Sequence, residues 1–489
     1  MSLFKKLFKH TFIYGLATVL PRMLSFLLVP LYTVLMPPGY YGEVTLIYAW
    51  IAIFNVFLAY GMETAFFRFF SKEENKEKVI STSLIALFAS SLLFVVLALT
   101  FQESLSSILN IEHRYFKFLI CILALDALVI IPFAWLRARE RPTRYAFIKI
   151  FNVAVNLGLN IFFLLLLPKL AEANPESLLN AMYVEDYEIS YILISNLIAS
   201  GITLAILSRR YFQTKYEFDS QLFRKMLRYG IPVMIAGIAF TINEVFDRIM
   251  LSELLPQDIA KSEIGKYSAC YKLALFMTLF ATAFRLGIEP FFFSHASSEN
   301  PKKAYAQITD YFVVLGSVIL LSVVVYADIL KIILVKDEAY WEAMPIVPII
   351  LLASFCLGIY HNLSVWYKVT DRTKYGAFFS LTGAFITIVI NYIFIPKIGY
   401  YASALATLAA YATMMLLSYI YGRKHYRIAY NIRKIVFYSS VSVLFSFLSF
   451  YAFDRNIIIG SVLLLVFLIL VYRMEKEILK RILLSFTNK

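Results

Sequence analysis

Stretches of about twenty mainly apolar residues, the length a helix needs to cross the hydrocarbon core of a bilayer, recur along nearly the whole chain with short polar breaks between them. Fourteen are predicted, numbered α1 to α14: residues 12–35, 42–67, 79–101, 116–136, 146–168, 188–208, 228–252, 266–294, 305–328, 344–367, 375–395, 401–421, 434–452 and 457–472. The first begins like a secretion signal behind Lys5, Lys6 and Lys9, yet it runs on through Arg22 without a small-residue cleavage site and is read as a retained helix. The expected fold class is an all-α integral membrane protein.

Composition agrees: 61% of residues are apolar and 16% charged, against about 45–50% and 25% in soluble domains. Net charge is +14, and position explains it. With the N-terminus inside, most Lys and Arg fall in the inner segments, so both termini are expected in the cytoplasm. The basic balance is therefore a topology signal, joined by attraction to anionic headgroups of membrane lipids, and nucleic acid is not an expected partner. Cys121, Cys270 and Cys356 lie in apolar stretches, and no disulfide is expected.

The longest outer loop, about 169–187, carries Glu172, Glu176, Glu185 and Asp186. It is short for a membrane-embedded glycosyltransferase. No Walker A loop, GxGxxG, CxxC or HExxH occurs, so neither enzymatic chemistry, a bound cofactor nor a metal is expected.

The chain also repeats itself. Trp135 to Tyr145 matches Trp366 to Tyr375 with one gap opposite Pro142, and Asn160 with Pro168-Lys169 matches Asn391 with Pro396-Lys397. Gly61-Met-Glu63 matches Gly287-Ile-Glu289, and Tyr14-Gly15 matches Tyr229-Gly230. Offsets drift only from 215 to 231. An even number of helices per copy implies a parallel repeat about an axis along the membrane normal. The expected domains are an N-lobe of six helices (1–210), a C-lobe of six (211–425) and two further helices with a basic tail (426–489).

Charged residues inside spans need a partner, water or a substrate. They are Arg22 in α1, Glu63 in α2, Asp126 in α4, Glu244, Asp247 and Arg248 in α7, and Lys272, Arg285 and Glu289 in α8. Glu244 with Arg248 and Arg285 with Glu289 stand four apart and can neutralise each other. Arg22 lacks a local acid and lies about 16 Å into its helix, which predicts a wet cavity or an interhelical partner, with Glu63 nearest in depth. Asp126 is central and locally unpaired, a carrier of protons or cations or a protonated, silent group. Lys272 is near enough to the surface to snorkel. Lys149, Asn152, Asn156 and Asn160 share one face of α5, which predicts interhelical hydrogen bonds ahead of a sugar-binding face. His361 and Asn362 in α10 are open to the same two readings. Pro21, Pro30 and Pro232 are expected to bend α1 and α7.

Several stretches resemble the polysaccharide-transporter branch of the multidrug/oligosaccharidyl-lipid/polysaccharide (MOP) exporter superfamily. They are Phe26 to Tyr32, Tyr41-Gly42-Glu43, Gly61, Arg68-Phe69-Phe70, Asp247-Arg248 with Leu251, Gly265 to Ser268, Tyr271-Lys272-Leu273 and Pro290. The resemblance implies a MATE-like bilobed alternating-access flippase of a bacterial inner membrane. It would move undecaprenyl-pyrophosphate-linked oligosaccharide, a repeat unit of O-antigen, capsule or exopolysaccharide, toward the periplasm. Arg22, Arg248, Lys272 and Arg285 would then supply a cationic cavity, with Glu63, Asp126, Glu244, Asp247 and Glu289 balancing charge or coupling an ion, H+ or Na+. A glycan polymerase and glycosyltransferases would be pathway partners. Arg22 departs from the family pattern, so its role rests on burial alone. The competing readings are a cation-coupled multidrug antiporter, an integral-membrane glycosyltransferase or ligase, and a non-transporting scaffold.

Overall fold

The computed structural model describes residues 3–173, 175–294 and 300–487, and among these there is no strand. All fourteen predicted spans are present. They are α1 Gly15–Leu35, α2 Pro38–Lys72, α3 Lys76–Thr100, α4 His113–Ala138, α5 Pro142–Ala173, α6 Glu188–Phe212 and α7 Ser220–Leu254. There follow α8 Gln257–Ile288, α9 Pro301–Val325, α10 Glu338–Val369, α11 Lys374–Ile398, α12 Tyr400–His425, α13 Ile432–Ala452 and α14 Ile457–Lys476.

Most helices outrun the apolar stretches that predicted them, because polar residues outside the hydrocarbon continue a helix until a cap stops it. At the start of α7, Asp219 accepts from the N–H groups of Gln221 (2.8 Å) and Leu222 (2.9 Å), a side-chain cap that sets the boundary at Ser220. The largest correction is α8, which starts at Gln257 and not near 266.

Several spans are interrupted, among them α1, α2 and α8, which carry candidate residues. α1 breaks at Leu27, three residues before Pro30, whose ring nitrogen cannot donate to the carbonyl of Phe26 and clashes with it. Pro21 and Pro232 sit inside helical runs without ending them, so the expected bend is realised as a break only at Pro30. α8 tightens to a 3-10 turn over Lys272–Ala274. α2 turns at Tyr60 and Gly61, which take φ of 29° and 73°.

By contact the chain forms two compact units, one reaching Ser268 and including Ala384–Ser403, the other comprising Ala269–Gly383 and the chain from Ala404 on. In the first unit α4 packs against α2, α3 and α6, α1 against α5, and α7 along α2. Glycine permits two backbone approaches there. A Cβ on Gly61 would fall onto the Gly230 carbonyl, and one on Gly42 onto the Lys261 carbonyl. Beside the second approach, the buried Glu43 carboxylate pairs with Lys261 and accepts from the main-chain N–H of Glu112 (3.3 Å).

In the second unit α10 is the core element, with 72% of its apolar window buried. Phe312 of α9 stacks between Phe280 (5.1 Å) and Phe355 (6.1 Å). Buried Glu475 of α14 binds Lys434 (2.8 Å) and Tyr438 (2.9 Å) of α13. Lipid tails are as apolar as these side chains, so packing and hydrogen bonds, more than expulsion of water, hold such helices together.

Candidate functional site

A polar cavity of about 540 Å³ opens within the first unit, walled by α2, α4, α5, α6 and α7. The α2 turn at Gly61 brings Glu63 and Thr64 to its wall. α4 supplies Asp126, α5 supplies Lys149 and Asn152, and α6 supplies Asn196, Ser200 and Thr203.

Asp126 is held by neutral donors from two neighbouring helices. Ser200 Oγ donates to Oδ1 (2.9 Å) and Asn55 Nδ2 contacts Oδ2 (3.4 Å). Asn196 donates to the Tyr48 hydroxyl (3.1 Å) and Asn152 to Thr203 Oγ1 (2.9 Å). Glu63 is paired with Arg137 (3.0 Å), whose guanidinium also lies 4.6 Å from the Phe67 ring centroid. Lys149 places Nζ 4.3 Å from the Phe133 centroid. Among the described residues its ammonium has no hydrogen-bond acceptor and no acid within ion-pair distance. The ammonium therefore stands at the cavity wall with an aromatic face, and no oxygen, beside it. Water or a guest's oxygen atoms would satisfy it, and a bare ammonium in apolar surroundings would be far more costly.

The sequence-predicted residues divide among several places. Asp126, Lys149, Asn152 and Glu63 meet in this cavity. Asn156 and Asn160 are not among its walls: Asn160 Nδ2 donates to Asn156 Oδ1 (2.6 Å), and Tyr32 donates to Asn160 Oδ1 (2.8 Å), tying α1 to α5. Asn160 and Asn152 thus bond across helices, to Tyr32 of α1 and Thr203 of α6, whereas Asn156 bonds within α5, and Asn152 also takes a place on the wall.

Arg22 is exposed, has no ion or hydrogen-bond partner among the described residues, and does not line this cavity. Its expected partner Glu63 belongs to Arg137, because the α2 turn directs that acid toward the end of α4. Arg248 is buried, binding Asp247 Oδ1 (2.7 Å) and the Glu244 main-chain carbonyl (3.0 Å), while Tyr267 donates to Asp247 Oδ2 (2.6 Å). Lys272 and Arg285 belong to the second unit, where Arg285 Nε is buried without an acceptor. Glu289 lies in helix, but its side chain is outside the described residues. Asn362 of α10 donates to the Gly358 carbonyl one turn back (2.9 Å).

Sequence reasoning missed the α6 wall. Asn196, Ser200 and Thr203 recur at four- and three-residue steps, the spacing that placed the α5 residues on one face, and would have been found by it. Asn55 and Arg137 give no such signal, one being a lone amide in α2 and the other a residue at the end of α4. No group of three side chains suited to a metal ion occurs among the described residues.

A family model described as "Polysaccharide biosynthesis protein" matches residues 7–284, more than half of the chain. The chain belongs to that family. A second family model, MatE, matches residues 232–393, and no curated protein matches. Among solved structures, this family member resembles the lipid II flippase MurJ in an inward closed conformation, with TM-score 0.72 and 17% identity over 94% of this chain and 99% of that one. An inward-facing multidrug resistance MATE transporter of the MOP superfamily aligns with TM-score 0.64 and 12% identity, over 85% of this chain and 94% of that one. A MOP superfamily transporter from Pyrococcus furiosus, described as having a binding pocket of reversed polarity, gives 0.58 and 12% over 86% and 94%. At these identities the likeness establishes the fold, one shared with these flippase and transporter structures.

Proposed function

We propose that this protein is a flippase that carries a lipid-linked oligosaccharide, the glycan on undecaprenyl pyrophosphate, from the cytoplasmic to the periplasmic leaflet of a bacterial inner membrane. The observation that carries the reading is the cavity of about 540 Å³ among membrane-spanning helices, whose polar wall holds amides, hydroxyls, the carboxylates of Glu63 and Asp126 and an ammonium without an acceptor. Sugar hydroxyls and phosphate oxygens cannot cross hydrocarbon unaided. Such a wall replaces their hydration, and charge-assisted bonds are the strongest it offers. The lipid tail stays in the bilayer.

In this reading the lobes 1–210 and 211–425 alternate access, residues 426–489 are an addition, and both termini face the cytoplasm. Arg22, exposed and without a partner among the described residues, meets the anionic part of the substrate. Asp126 is the group most exposed to coupling by H+ or Na+, because only neutral donors hold it. A glycan polymerase and glycosyltransferases supply and consume the substrate. No covalent step is assigned to the protein, in keeping with the transporters and flippases that share its fold.

Proteoliposomes holding the purified protein test this directly. Fluorescent lipid-linked oligosaccharide should become accessible on the far leaflet with wild type, and Arg22→Ala should abolish that movement while leaving the amount of folded protein unchanged. Wild-type translocation by Arg22→Ala removes its role, and no translocation by wild type removes the reading. The MatE match over residues 232–393 favours a second reading, a cation-coupled multidrug antiporter. Ethidium efflux in the same vesicles, without glycan movement, would select it.

A further inference from the structure

Outside the cavity, a second group of donors lacks acceptors. Trp135 stands near the end of α4, and its indole N–H is buried with no hydrogen-bond partner. Two guanidinium groups lie against its ring, Arg141 at 5.2 Å and Arg210 at 5.0 Å from the centroid. Arg210 pairs with Glu77 through Nη2 (2.5 Å), yet its Nε is likewise buried and unpartnered. Arg141 is exposed and, like Arg144, has no carboxylate partner among the described residues.

Arg141 is also the residue from which α5 starts, and that start has no side-chain cap. Pro142 contributes no N–H, so the first turn presents the N–H groups of Thr143 and Arg144 at the positive end of a helix dipole. Each buried donor left unmade costs about 1–3 kcal/mol. The cluster joins two such donors to guanidinium charge and an open helix N-terminus, and the chemistry that satisfies them all is a compact anion with several oxygens, a phosphate. Its depth names the carrier: the turn between α4, ending at Ala138, and α5, starting at Pro142, lies where two spans leave the hydrocarbon, at headgroup level.

We propose that Trp135, Arg141 and Arg210, with the first turn of α5, form a binding site for a lipid phosphate, either that of an anionic phospholipid or that of a polyprenyl carrier. Arg141, exposed and without a carboxylate partner among the described residues, is the side chain free to close on the phosphate. The site does not rest on the flippase reading, since a phosphate-bearing lipid can be held whether or not a glycan moves.

The test uses the full chain in phosphatidylcholine nanodiscs titrated with phosphatidylglycerol, with bound lipid counted by native mass spectrometry. Wild type should bind phosphatidylglycerol saturably and in preference to phosphatidylcholine. Trp135→Phe, which keeps a ring and removes the donor, and Arg141→Gln, which breaks no ion pair and removes the guanidinium from the indole face, should each weaken binding by about tenfold or more, as loss of one charge-assisted bond implies. Arg209→Gln, an equal change of charge at the neighbouring exposed position, should weaken it less than either. Competition by polyprenyl phosphate assigns the site to the carrier, and its absence assigns it to the phospholipid. Unchanged binding in Trp135→Phe and Arg141→Gln, or an equal loss in Arg209→Gln, overturns the site. Neither result bears on the glycan-translocation assay.

Discussion

Trp135 and Trp366 occupy matching places in the two copies of the repeat, and they are satisfied differently. Trp366 is 1% exposed, its indole N–H donates to the Ser418 carbonyl of α12 (3.1 Å), and the imidazole of His425 stacks on it at 5.7 Å. Trp135 has Arg210 at the end of α6 where Trp366 has His425 at the end of α12, and its N–H finds no acceptor. The asparagines of the same repeat agree closely. Asn160 and Asn391 each donate to a carbonyl one turn back, at 2.8 Å in both, and each accepts a hydroxyl proton, from Tyr32 (2.8 Å) and from Ser403 (2.7 Å). Glycine differs again: Gly61 is left-handed and jammed against Gly230, whereas Gly287 is helical with open space where its Cβ would be. Two copies can thus keep a bond that joins helices while diverging wherever a group meets lipid, solvent or a guest.

Substitutions can break or sharpen that contrast. The largest effect is expected at Gly61, where alanine meets both a left-handed backbone and a carbonyl in its path. Gly61→Ala should cost about 2–4 kcal/mol, read as loss of monodisperse protein and a lowered Tm in detergent. Trp366→Phe should cost about 2 kcal/mol, because an acceptor inside the fold is left empty, whereas Trp135→Phe should change Tm little. Equal losses would show that the two indoles are equivalent after all. Asn160→Ala and Asn391→Ala should each cost about 1–2 kcal/mol and to a similar degree. Gly287→Ala should instead stabilise by about 0.5–1 kcal/mol, since it fills open space in a helix.

The smallest effect concerns the helix starts, capped by Asp219 at α7 and uncapped at α5. The N–H of Leu222 and the Lys78 ammonium (2.9 Å) hold the Asp219 carboxyl below the ordinary carboxylate range. A lowered folded value means that the cap stabilises above the unfolded pKa and is lost as pH falls through the folded one. Asp219→Asn should therefore lower Tm slightly at pH 7, and the difference should shrink in acid as the lowered carboxyl takes up its proton. A difference that persists in acid would show that the charge is not the source.

Much of the fold was legible from local signals. Fourteen apolar stretches became fourteen spans, since backbone groups in lipid must bond within their own helix and an apolar run of sufficient length has few alternatives. The break before Pro30 follows from a missing N–H. The face bearing Lys149 and Asn152 followed from helical spacing, and the same spacing exposes Asn196, Ser200 and Thr203. The pairing of charges was not legible. Glu63 looked toward Arg22 by depth along the chain but bonds Arg137, because a turn at Gly61, itself forced by the Gly230 backbone, redirects the segment that carries it.

Length, solvent and the repeat are properties of sequence order: each is written in which residue types follow one another. Which buried donors are answered and which are left waiting depends on what a distant helix brings within 3 Å, and only tertiary packing decides it. Ser418 reaches one indole and no such group reaches the other, a difference between two helices that neither matching segment contains.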